Sequence, residues 1–124
     1  MMQTDNKKDL LPDLVPLKYL KNFCNLDVQC RLVVTVKNQG FAAAPQSTTR
    51  VIFFEPGDGS TVDIPTPGIP PLEQVDLDPI PIPITSKGYA LFTVIVNAKN
   101  EILESDKGNN TVHGACIKSP HCPY

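Results

Sequence analysis

Hydrophobic residues recur at every second position in several short runs of this chain. Leu32, Val34 and Val36 share one face of an extended segment, with Arg31, Val33, Thr35 and Lys37 on the other. The first set is expected to face a core. Asn38-Gln39-Gly40 ends that run, with Gly40 free to take a positive φ. Thr48 to Phe54 predicts a second long strand, turned at Pro56-Gly57-Asp58-Gly59 into a short return strand from Thr61 to Ile64. Phe92, Val94 and Val96 place a strong central strand over Tyr89 to Val96, and Thr111 to Ile117 reads as the last strand. Pro12-Asp13-Leu14-Val15 opens the first, through about Leu20, and Ile102 to Glu104 forms a short piece. Ala42-Ala43-Ala44 meets Pro45 at once, and three alanines cannot nucleate a helix.

The run Asp78-Pro79-Ile80-Pro81-Ile82-Pro83-Ile84 alternates proline with isoleucine. In a strand, alternate N–H groups point to the same edge, so Pro79, Pro81 and Pro83 strip every donor from one side. The segment is expected at a sheet edge, paired through Ile80, Ile82 and Ile84 alone. Polyproline II is the alternative. Pro65 to Pro71 reads as a proline-rich crossing loop. The pattern predicts an all-β, immunoglobulin-like antiparallel sandwich of about seven to eight strands.

The length, 124 residues, fits one domain. The reading divides it into a linker over 1–11, the sandwich over 12–118 and a tail over 119–124. A net charge of −2 supplies no basic field for nucleic acid. No apolar run approaches the roughly 20 residues of a membrane helix. Met1 to Leu11 lacks the apolar core of a signal peptide, so a removed leader or a longer parent protein is expected.

Catalytic constellations are not evident. Ser47-Thr48-Thr49 has no G-x-S-x-G elbow and no Asp–His pair beside it. His113 and His121 lack ligand spacing. The loop from Asn97 to Asn110 carries hard oxygen donors, and Asn97, Asn100, Glu104 and Asp106 form a candidate calcium set. Lys99 and Lys107 dilute its field, so a loop folded on its own backbone, anchored by Glu104, is the favoured reading. Asp106-Lys107-Gly108 reads as a tight turn, and Asn109-Asn110-Thr111 fits the N-glycosylation pattern. No cofactor is expected.

Taken together, several of these runs resemble the CARDB family, cell-adhesion-related domains of bacteria and archaea. The matching residues are Pro12-Asp13-Leu14-Val15, the VTVKNQG run over 34–40, Ala44-Pro45 with Ser47-Thr48-Thr49-Arg50-Val51, and Thr66-Pro67 before Leu72. The C-terminal signature is Asn97, Asn100, Ile102, Glu104-Ser105-Asp106 and Asn109-Asn110-Thr111. Asn97 stands where the family usually has Asp, and Lys107 where a second Glu is common. The resemblance implies a sandwich displayed outside the cell, at the surface or in the periplasm, among neighbouring domains of a larger protein. It implies a non-catalytic adhesion, protein-contact or spacer role, with the protein or surface ligand undefined. An accessory glycan-binding module of a secreted enzyme is the alternative. It is weakened by the lack of Trp and by only three tyrosines, Tyr19, Tyr89 and Tyr124.

Cys24, Cys30, Cys116 and Cys122 form two C-x5-C pairs, expected at one pole of the sandwich. An even count in a small β-domain points to disulfides and an oxidising compartment. Zinc bound by all four, aided by His121, is the rival. The family resemblance favours Cys24–Cys116 and hence Cys30–Cys122. Strand phase favours Cys30–Cys116 instead, and the local pairs Cys24–Cys30 and Cys116–Cys122 are a third option.

Overall fold

The computed structural model describes residues 11–17, 24–55, 60–83 and 89–117. The chain is all-β, with seven strands among these residues: β1 (Leu14–Pro16), β2 (Thr35–Asn38), β3 (Ser47–Glu55), β4 (Ser60–Thr66), β5 (Gln74–Asp76), β6 (Tyr89–Ile95) and β7 (Thr111–Ile117). They form two antiparallel sheets, ordered β1-β2-β5 and β4-β3-β6-β7. The sheets close on Leu32, Val34 and Val36 from one side and Val51, Phe53, Phe92 and Val94 from the other, all buried. Phe53 and Phe92 lie opposite each other in register and tilt at 57°, with ring centroids 5.9 Å apart.

The long alternating runs became β3, β6 and β7, and β6 alternates buried with half-buried positions as its sequence dictates. The short strands differ from expectation. Among the described residues the first strand is three residues long, and just past it the Leu17 N–H donates to the Thr35 carbonyl at 2.9 Å; residues 18–20 of the expected strand lie outside the described residues. The return strand is longer than expected, running to Thr66 through Pro65. Proline is tolerated because β4 is the outer strand of its sheet. Gln74-Val75-Asp76 forms β5 against β2, where no strand was expected. Ile102 to Glu104 forms no strand. The Pro56–Gly59 turn lies outside the described residues.

Among the described residues the proline–isoleucine run pairs at one point, and Ile84 lies outside them. Leu32 and Ile80 exchange both backbone bonds, at 2.8 and 3.0 Å, extending the β2–β5 ladder by one isolated bridge. Ile80 and Ile82 are buried, and Pro81 and Pro83 face outward. Ala44 likewise bridges Ile69 through two 2.9 Å bonds and belongs to no helix. Gly40 does not take a left-handed φ. It is required by close approach: a Cβ there would stand 2.4 Å from the Leu11 carbonyl oxygen and 2.7 Å from the Asp13 nitrogen.

The strand path sets the poles. β2 ends and β7 begins at the pole where Leu11 and Pro12 enter, since the Ser105 N–H donates to the Pro12 carbonyl there. Cys116 and Ile117 lie at the opposite pole, in register with Ala90 and Tyr89 at the start of β6.

Candidate functional site

At the entry pole, Asn38 is fully buried and uses its whole amide. Its Oδ1 accepts the Asp13 and Gly40 N–H groups, both at 3.0 Å, and its Nδ2 donates to the Ala42 and Ile69 carbonyls. This is why the strand breaks at Asn38: the side chain holds the turn it starts. Beside it the Asp13 carboxylate accepts from Gln39 Nε2 and Asn109 Nδ2, each at 3.0 Å.

Glu104 is the second hub. Its Oε1 accepts the Leu14 N–H at 2.7 Å, and its Oε2 accepts Asn97 Nδ2 and Asn110 Nδ2 at 2.8 and 2.7 Å. The Glu104 anchor therefore reaches across the sandwich to β1 rather than to the Asp106–Asn110 backbone. Asn97 has a left-handed φ of 52°, tolerated by Asn, and its Oδ1 caps the Glu101 and Ile102 N–H groups. Asp106 Oδ1 accepts the Gly108 N–H at 2.8 Å and closes its own tight turn. Asn100 accepts Lys107 Nζ on the surface.

Of the four candidate calcium ligands, Asn97 and Glu104 meet each other, while Asn100 and Asp106 are exposed and bonded elsewhere. The N–H groups that converge on Glu104 point protons at the positions a cation would take. Among the described residues no cluster of three or more His, Cys, Asp or Glu is placed to hold a metal ion.

At the opposite pole Cys24 is bonded to Cys116, with Cα atoms 5.1 Å apart and a sequence separation of 92. Cys24 precedes β2 and Cys116 lies in β7, so the bond ties one sheet to the other. Cys30 is also disulfide-bonded, and Cys122 and His121 lie outside the described residues. Strand phase failed for Cys30 because the chain turns there. Its φ is 61°, and Asp27 Oδ1 accepts the Gln29 and Arg31 N–H groups, closing a tight 27–31 loop. The Arg31 backbone N–H, and then the Arg31 guanidinium, holds the Asp27 carboxyl below its ordinary value. On the outer face of β3, Arg50 bonds Asp63 directly opposite, which lowers the Asp63 pKa and raises that of Arg50.

A third place escaped the sequence reading. Between β4 and β5, the free edges of the two sheets, a cleft of about 440 Å³ is lined by Asp76, Asp78 and Glu101 over a floor that includes Ser47 and Thr66. Asp76 and Asp78 come from the end of β5 and the residues after it, and Glu101 from the β6–β7 loop, so no linear motif joins all three.

The CARDB family model matches residues 11–114. The chain belongs to the CARDB family. A domain of a candidate cell surface protein from Methanosarcina acetivorans, solved by NMR, superposes with a TM-score of 0.68 at 20% identity, covering 93% of this chain and 98% of that one. The CARDB domain of a Pyrococcus furiosus protein, solved in complex with di-metal ions, has a TM-score of 0.55 at 19% identity, covering 95% and 100%. No curated protein matches the chain. CARDB is not known as an enzyme family, and no helix among the described residues is long and apolar enough to cross a membrane.

Proposed function

We propose that this CARDB domain, over residues 12–118, is a non-catalytic extracellular module that spaces or presents neighbouring domains and contacts other proteins. The observation that carries this reading is the placement of two ties between the sheets, at opposite poles. Glu104 ties the β6–β7 loop to Leu14 of β1 at the pole where the chain enters. Cys24–Cys116 ties the sheets at the pole where β7 ends. A chain that enters at one pole and leaves at the other suits a string of domains. The disulfide gives force a covalent path around the 92-residue span between its cysteines. The cell surface context of the Methanosarcina relative and the redox chemistry of a disulfide both support display outside the cytoplasm.

A catalytic role finds little support. Thr93 Oγ1 and His113 Nδ1 are 2.8 Å apart on the exposed face of the sheet, and no carboxylate is bonded to that imidazole. A metal-binding role like that of the relative solved with di-metal ions would need the donors on Glu104 to turn away. The test is labelling of intact cells of the native host with a membrane-impermeant amine reagent. Modification of the exposed lysines before lysis is expected; labelling only after lysis would overturn the reading.

A further inference from the structure

The cleft between the two sheet edges has a chemistry that the spacer role does not use. Asp76, Asp78 and Glu101 stand exposed around it, and no basic side chain belongs to its lining among the described residues. One oxygen of Asp76 accepts the Thr35 hydroxyl, which fixes that carboxylate at the rim. The floor supplies an independent observation. Ser47 is 7% exposed, and its hydroxyl has no hydrogen-bond partner among the described residues. Strand alternation turns it to the same inner face as Thr49, and it lies in register with Thr66, the other hydroxyl of the floor. Thr66 bonds Thr49 at 2.7 Å, so Ser47 alone is left over. A buried hydroxyl without a partner is costly and marks a place where a ligand donor would gain.

The carboxylates are too dispersed to form a metal cluster. A larger cation that reaches several of them at once fits better, and the volume lies within the range of small-ligand sites. We propose that this cleft binds an organic cation through its ammonium or guanidinium N–H groups, which bond the rim carboxylates and the Ser47 hydroxyl. Two sources share this chemistry: a Lys or Arg side chain of a partner protein, and a free polyamine. The site goes beyond the spacer reading, and its failure would leave that reading standing.

The experiment is a backbone-amide NMR titration of the full chain with spermidine and, separately, with a blocked tri-lysine peptide. Saturable shifts centred on Ser47, Thr66, Leu77 and Glu101 are expected. Asp78→Asn and Glu101→Gln should each weaken binding about two- to five-fold, whereas Glu73→Gln, outside the cleft, should not. Neither Asp78 nor Glu101 uses its side chain in a bond described above, and spectra of the free variants check that the fold is kept. Tighter binding of the peptide assigns the site to a protein partner; tighter binding of spermidine assigns it to polyamines. No saturable shift with either probe, shifts indifferent to both cleft variants, or an equal response to calcium chloride would overturn the proposal.

Discussion

Both oxygens of the buried Glu104 carboxylate receive N–H donors, and this decides how substitutions there behave. Sequence reasoning expects Glu104→Gln to keep an acceptor and cost little. With three donors converging, the new NH2 group must face either the Leu14 N–H or the two amides. Glu104→Gln is therefore expected to destabilise by about 1–3 kcal/mol, and Glu104→Ala by at least as much, measured by urea unfolding. Gly40→Ala is a second residue-scale test. Its Cβ would press on backbone of the entering chain at 2.4–2.8 Å, which cannot swing aside as a flexible side-chain tip does. A loss of about 1–3 kcal/mol is expected in the same assay. The importance of Gly40 and Glu104 is visible in the sequence, but their partners are not. Leu14 is 90 residues from Glu104, and only the assembled sandwich brings the two together.

At the scale of elements, legibility followed length. β3, β6 and β7 have seven to nine residues, enough alternation to show which face is buried. β5 has three, with one apolar side chain, and its existence depends on the neighbouring β2 edge. The 27–31 turn and the β3–β4 hairpin carry the two ion pairs. Arg31 groups hold Asp27, and Arg50 holds Asp63, below the ordinary value of 3.8. Each carboxylate thus binds its proton less readily folded than unfolded. Its contribution is complete well above that value and fades as pH falls through the lowered folded pKa. Asp27→Asn and Asp63→Asn should therefore lower the melting temperature near neutral pH and converge on the unmodified protein as pH falls through the lowered folded pKa. The loop from Asn97 to Asn110 makes a further prediction. The four candidate ligands Asn97, Asn100, Glu104 and Asp106 already accept N–H donors, so neither calcium nor a chelator should shift the melting temperature. A clear rise with calcium would revive the metal reading.

For the whole molecule, the sandwich class and the role of Glu104 as an anchor could be read from pattern and family resemblance. The cleft could not, because Glu101 is brought beside Asp76 and Asp78 only by the packing of the two sheets. The central claim is mechanical: force entering at residue 11 and leaving after residue 117 passes through the Cys24–Cys116 bond and spares the strands between. Single-molecule pulling on the oxidised chain held at its two ends measures this directly. Only the stretch from residue 11 to 24 and the segment after 116 should lengthen, a gain of at most a few tens of ångströms. Reduction should release the 92-residue span between the cysteines, adding roughly 300 Å of contour length. An oxidised chain that unravels to the full reduced length would contradict the account.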